Sequence, residues 1–523
     1  MLMLRRTLHL LTPLLATVLL AATLAEGQER TVLTFLHFND TYAFQPNAKG
    51  IGGFAPLHTL ITREIAAAKG PTLVTFGGDA ISPTALSGVT QGVHMIELLN
   101  GVGTQVAVPG NHEFDFGPTV LQARIKESTF PWLAANVVQP TDGTPCCGMR
   151  AHTLITMGGF TVGIFGLLTE ETAGYSSTDA NRVTPYLEVA AQQVSALRAQ
   201  GAEIIVALTH LAFDEDVELA KKVKGIHLIL GGHEHVVYAY YGNDVNDVLV
   251  LKVGMDAEML GVVTLPVERG AQGVQVKAPS WHVLQVQDLP PSPPVEAIVQ
   301  RYAAQEATFT KAAIGTTRVP LNTIEALVRG IETPMGDVIA DAMRQGTHAE
   351  VGLIHGFNFR GMTKDAGAAL THFDVLATLP FANTVEVVDV TGVQLQDALE
   401  HGVAGIGHPN PRALSQFLQV SGIRMTYDAT RPARSAGCPA ATVGQRITAV
   451  SVGDAPLDPK KTYRVAINNF MAEGGNGYCM FTTAPRVALT PPTPLLTDLV
   501  VATMKQRQAI TAQPARIIAA PSR

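Results

Sequence analysis

Between residues 31 and 267 the chain repeats one pattern: a short apolar run, a polar turn, then a stretch whose apolar positions recur three and four residues apart. The runs at 31–38, 72–76, 106–108, 132–135, 161–165, 203–208 and 226–230 have strand length. The stretches at 54–69, 92–100, 118–126, 186–199 and 215–223 have helical spacing. Strands alternating with helices predict a layered α/β domain. Two further β runs, 248–253 and 260–267, finish it.

The residues just beyond these strands are as informative as the strands themselves. Asn39 and Asp40 come after the first, Asp79 comes after Gly77 and Gly78, and Asn111 with His112 come after Pro109 and Gly110. His210 closes a fourth run, and His233 and His235 stand beyond the fifth after Gly231 and Gly232. Any one of these is an ordinary turn, but five strand ends at one edge of a sheet define a site, because that edge is where such sheets hold ligands. Asp115 lies three residues beyond His112, close enough to orient its imidazole. Mixed oxygen and imidazole donors suit Zn²⁺, Mn²⁺ or Fe²⁺ better than Mg²⁺ or Ca²⁺. There are more donors than one tetrahedral ion takes, which points to a metal pair bridged by a carboxylate.

The 523 residues suggest two or three domains, and 46% hydrophobic with 15% charged residues is a globular composition. Arg5 and Arg6, an apolar run over 8–24, and the small residues Ala21, Ala22 and Ala25 read as a secretory signal peptide over 1–25. Its removal takes the formal charge from −7 to −9, with no basic cluster to serve a polynucleotide. No later segment reads as a membrane anchor. Export permits disulfides. Of the three connectivities open to four cysteines, Cys438 with Cys479 is favoured, since Cys146 and Cys147 are adjacent. Prolines at 290, 291, 293 and 294 mark a linker. The expected division is a catalytic domain over 30–286, a linker and connecting helix over 287–310, and a second domain over 311–523, with helices at 333–345 and 391–401 and β runs at 385–390 and 418–427.

In their order along the chain, Asn39-Asp40, Gly78-Asp79, Gly110-Asn111-His112-Glu113, Thr209-His210 and Gly232-His233-Glu234-His235 resemble the motifs of the calcineurin-like metallophosphatases. Residues 379–384, 399–403, 417–422 and 474–478 narrow the resemblance to the secreted 5′-nucleotidase family. That resemblance implies an N-terminal metallophosphatase β-sandwich flanked by helices, then the linker and helix, then a C-terminal α+β substrate-binding domain. It further implies a periplasmic or extracellular hydrolase that releases phosphate from nucleoside 5′-monophosphates, a small-molecule substrate, using two divalent metal ions (Zn, Mn or Co).

Carried over by position, Asp79 would bridge the metals, with Asp40 and His235 completing one site and Asn111, His210 and His233 the other. His112 would stabilise the phosphoryl group and the leaving group, with Asp115 fixing its ring. Arg360 would bind substrate, and Phe417 and Tyr478 would stack the base. Three positions depart from the family: Tyr42 stands where an imidazole is usual, the turn before Arg360 carries the bulk of Phe357 and Phe359, and Ala484 replaces an acid. Tyr42 coordinates, turns away or packs. A 2′,3′-cyclic-nucleotide phosphodiesterase with 3′-nucleotidase activity, a nucleotide-sugar hydrolase and a weakened nucleotide-binding protein are the alternatives, and the ion, the base and the oligomeric state stay open.

Overall fold

The computed structural model describes residues 29–520 except 173–175, 177, 179, 272, 311–312, 382, 409–413, 439 and 490–493. The leader expected over 1–25 lies outside the described residues. The strands of the first domain's two large sheets are β1 (Glu29–Phe38), β2 (Thr72–Phe76), β3 (Val106–Ala107), β4 (His152–Met157), β5 (Phe160–Leu168), β6 (Ile204–His210), β7 (Leu228–Gly231), β8 (Val237–Tyr240), β9 (Leu249–Val253), β10 (Met259–Gly270), β11 (Gly273–Val276) and β12 (Ser280–Gln285).

They form two six-stranded sheets that face each other. One runs β11-β10-β1-β2-β3, with β12 also on β10. The other runs β8-β9-β7-β6-β5-β4. Leu36, Phe38 and Phe76 from the first sheet meet Ile164, Leu208, Leu230 and Leu251 from the second in one core. On the second sheet's outer face Phe165, Ile205, Ala207 and Ile229 pack under helices Tyr186–Ala199 and Phe213–Lys222. Strands buried on both faces need apolar residues at every position, which is why these segments read as unbroken apolar runs.

One expectation needs correcting. The five functional strand ends belong to two sheets: β1, β2 and β3 to the first, β6 and β7 to the second. A strand buried on both faces has the same pattern whichever sheet it joins, so the sequence reading merged them. The run at 132–135 is not a ladder strand but a strap between the sheets. The Leu133 N–H donates to Ala107 O (2.8 Å) and the Ala135 N–H to Gly166 O (2.8 Å).

The proline-rich run is tied down. Thr59 Oγ1 donates to Pro290 O at 2.7 Å, and Ser292 Oγ lies 2.7 Å from His58 Nδ1. Helix Pro293–Thr310 then buries Val295, Val299 and Tyr302 in the first domain's core.

The second domain is built on β13 (Val351–His355), β14 (Val385–Thr391), β15 (Leu418–Ser421), β16 (Ile423–Tyr427), β17 (Thr462–Asn468) and β18 (Arg486–Val487). Its five-stranded sheet runs β15-β13-β17-β14-β18. Helix Pro334–Gly346 covers one face through Met335, Ile339 and Met343, and helix Gly392–Ala404 the other through Leu395, Leu399 and Val403. The run expected over 418–427 is two strands, because Gly422 takes φ +75° and sends β16 into a separate four-stranded sheet. A Cβ there would sit 2.2 Å from Glu350 O. Cys438 and Cys479 are joined, with Cα atoms 5.8 Å apart, while Cys146 and Cys147 are buried thiols. Among the described residues no helix is long and apolar enough to cross a membrane.

Candidate active site

The C-terminal ends of both sheets empty into one place. Donor atoms of Asp40, Asp79 and His210 all lie within 4.8 Å of one another. Asp40 follows β1, Asp79 follows β2, and His210 is the last residue of β6. His235 Nε2 approaches Asp40 Oδ1 at 3.4 Å, and the His233 ring centroid is 5.1 Å from that of His210. Asp40, Asp79 and His233 hold φ of 51°, 62° and 77°, values that side-chain-bearing residues seldom adopt. Three such residues around one point mark a backbone shaped for the site rather than for local stability.

Each donor is aimed by a neighbour. His210 Nδ1 donates to Gly77 O at 2.7 Å, which leaves Nε2 facing Asp79 Oδ2 at 3.2 Å. Asp79 Oδ1 accepts the His112 N–H at 2.9 Å, and Asp40 Oδ2 accepts the His233 N–H at 2.9 Å and Asn39 Nδ2 at 2.7 Å. Burial opposes a charged His210, but the Asp79 carboxylate overrides it and raises the imidazole to about 9. Burial likewise opposes an ionised Asp79, yet His210 and His112 hold its carboxyl well below the usual range. The buried Asn111 Oδ1 has no hydrogen-bond partner. A neutral oxygen left unsatisfied beside two carboxylates and imidazoles fits a divalent cation, which takes such mixed donors.

His112 Nδ1 sits 2.7 Å from Asp115 Oδ2, and Asp115 Oδ1 accepts from Ser176 Oγ at 2.8 Å. Burial lowers the imidazole's affinity for a proton, but Asp115 and Asp79 together raise it above its ordinary value. The ring lines clefts of about 290 and about 710 Å³ on its two sides, and Arg360 from the second domain lines both. Arg360 is held by its own loop, donating to Phe357 O (2.8 Å) and Phe359 O (3.0 Å), with its guanidinium 4.7 Å from the Phe381 ring centroid.

The structure does not bring Phe417 and Tyr478 to this cleft. They are 1% and 0% exposed, and the Tyr478 hydroxyl donates to Gln416 O while its ring packs on His401 and Phe481. Phe357 lines the cleft of about 290 Å³, and it heads a near-parallel row with Phe381 and Phe470, at centroid distances of 6.5 and 6.2 Å, that borders a smaller pocket beside Asp115 and Ser176. Phe381 also stacks on His112 at 6.4 Å.

Two supporting residues escaped the sequence reading. Glu113, which stands out in the sequence only as part of a motif, accepts the N–H groups of Asp79 (2.8 Å), Ala80 (2.7 Å), Ile81 (3.2 Å) and Gly110. Lys252, 0% exposed, donates to Leu211 O (2.5 Å) and Gly232 O (2.6 Å) and pairs with Asp216 at 2.8 Å. It clamps the loops carrying His210 and His233. Its signal was a lone charge inside the apolar run Leu249–Val253.

Comparison with known proteins identifies both domains. The calcineurin-like phosphoesterase model matches residues 33–237 and the 5′-nucleotidase C-terminal domain model residues 313–483. The chain is 30% identical over 499 residues to the trifunctional nucleotide phosphoesterase protein YfkN of Bacillus subtilis, covering 86% of this chain but 32% of that longer protein. It is 27% identical over 503 residues to the snake venom 5′-nucleotidase of Naja atra, covering 86% of this chain and 91% of the relative. Among solved structures, the 5′-nucleotidase precursor from Thermus thermophilus superposes with a TM-score of 0.71 at 27% identity, covering 94% of this chain and 100% of that one.

Proposed function

The chain belongs to the family that joins a calcineurin-like phosphoesterase domain to a 5′-nucleotidase C-terminal domain and is a metal-dependent phosphoester hydrolase; from that premise we propose that it is exported and releases phosphate from nucleoside 5′-monophosphates. The observation that carries this reading is the convergence of Asp40, Asp79, Asn111, His210, His233 and His235 on the His112–Asp115 pair, opposite Arg360 of the other domain.

Asp79 would bridge two cations, with Asp40 and His235 on one and Asn111, His210 and His233 on the other. When bound, such cations neutralise phosphoryl charge and make a water nucleophilic at neutral pH. His112, with Nδ1 committed to Asp115, presents Nε2 to the cleft and can donate a proton to the departing nucleoside oxygen. Arg360 supplies a fixed positive charge for the phosphoryl oxygens, and its two carbonyl contacts keep it from folding away. Base contact falls to Phe357 in place of Phe417 and Tyr478, since a flat base needs a ring that borders the cleft. Export is supported by the leader-like start, by the disulfide and by the venom relative.

The test is phosphate release from AMP, a 2′,3′-cyclic nucleotide and a nucleotide sugar, each with Mn²⁺, Zn²⁺ and Co²⁺. The expected result is fastest release from AMP and a fall in kcat of about 10²-fold or more in His112→Asn with metal content unchanged. Faster release from the cyclic nucleotide or the nucleotide sugar would favour that ester as the substrate instead. Nucleotide binding without turnover under every metal would reject both in favour of a binding protein.

A further inference from the structure

We propose that Tyr42 is a protein ligand of the first metal, its phenol oxygen taking the place of an imidazole. The inference rests on the reading of this site as a metal centre and adds to it a residue from this chain alone. Tyr42 Oη lies 3.0 Å from Asp79 Oδ2, 3.1 Å from His235 Nε2 and 3.4 Å from Asp40 Oδ1, and the last two of those atoms are themselves 3.4 Å apart. Donors held by one cation at about 2.1 Å stand about 3.0 Å apart when at right angles and about 3.4 Å apart at the tetrahedral angle. The cluster therefore has the edge lengths of a coordination shell.

Hydrogen bonding alone explains the arrangement poorly. A phenol has one proton, and here it faces two carboxylates and an imidazole. The phenol proton serves one carboxylate and an imidazole N–H serves at most one more of these atoms, while a cation satisfies all of them together. The backbone that carries the ring is fixed. The Tyr42 and Ala43 N–H groups both donate to Asp256 Oδ1 at 2.9 Å, and the Thr41 N–H donates to Asp79 O at 2.8 Å. The ring is wedged between His112 and His235, with centroids 5.8 and 5.4 Å away.

The consequence is an asymmetric pair. The first site would gather oxygens from Asp40, Asp79 and Tyr42 around one imidazole, whereas the second would add two imidazoles and an amide to the shared Asp79. Oxygen-rich donor sets select harder ions, so the two positions differ in the metal they prefer.

Metal-stripped protein is loaded with ferric ion alone, the metal content is measured, and the visible absorption and resonance Raman spectra are recorded. The expected result is a ferric–phenolate charge-transfer band with tyrosine ring modes. Tyr42→Phe loses the band and binds one of two ions about tenfold or more weakly. Tyr42→His, which keeps a donor and guards against misfolding of the first variant, binds both ions without the band. Iron-loaded protein without the band, a band that survives either substitution, or failure to take up ferric ion while Zn²⁺ or Mn²⁺ binds would each overturn the proposal and leave the hydrolase reading standing. Protein that binds no ion of any kind would overturn both.

Discussion

Lys252 and Glu113 show how much of this site is held by residues that never face the cleft. With no solvent around it, the Lys252 ammonium depends on Asp216 and two carbonyls, so Lys252→Met leaves a buried carboxylate without its partner. We expect about 3–5 kcal/mol of lost stability in urea unfolding, with most of it regained in the Lys252→Met/Asp216→Leu double variant. A double variant no better than the single one would mean the lysine acts through the carbonyls alone. Glu113→Gln replaces one of two accepting oxygens by a donor that faces backbone N–H groups, at a cost of about 1–3 kcal/mol. Equal melting curves for the two proteins would refute that account. The donors themselves were legible in the sequence because each is a polar residue standing where an apolar run stops. Lys252 was not, since its meaning depends on two loops that lie 20 and 41 residues away along the chain.

At the scale of elements, helix Val93–Gly101 carries a buried histidine whose ionisation couples pH to stability. His94 is packed edge-on to Phe44 and Tyr302, its Nδ1 lies 2.7 Å from Thr90 Oγ1, and its Nε2 has no partner. Burial pushes it down to about 3 from an ordinary 6.5. The folded chain thus binds the proton less readily than the unfolded one. Its contribution to stability is complete above about pH 6.5 and is lost as pH falls from there toward 3. Unfolding free energies measured across that window should fall less steeply in His94→Phe, and parallel slopes would show that other groups dominate. Helices and double-sided strands were readable from apolar spacing. Sheet membership was not, because β3 and β6 carry the same kind of run although they belong to different sheets. The break at Gly422 also escaped, since the residues on both sides of it are good strand formers and only the approach of Glu350 O requires the turn.

At the scale of the whole molecule the two domains wall one cleft, with candidate metal donors on one side and Arg360 and Phe357 on the other. Truncating Phe357 to Ala should raise KM for AMP by about 5- to 150-fold, the equivalent of about 1–3 kcal/mol of stacking, with kcat changed much less. A lowered KM would show instead that this ring obstructs the base. The two-domain plan was legible from the proline run and the strand ends. The place of Phe357 was not, because Phe417 and Tyr478 occupy the motif positions in the chain yet are buried, Tyr478 with its ring against His401.

The Cys438–Cys479 bond closes a loop across a sequence separation of 41 and ties the segment after Arg434 to the turn that carries Asn476, a residue lining the cleft. A closure of that length restrains the unfolded chain by about 4 kcal/mol. How the protein is manufactured therefore alters what is assayed: material made in a reducing cytosol, or stored with thiol reagents, would carry a slack cleft wall beside an intact metal wall. Preparations that differ only in their oxidation history should then differ in apparent substrate preference while hydrolysing a small aryl phosphate alike.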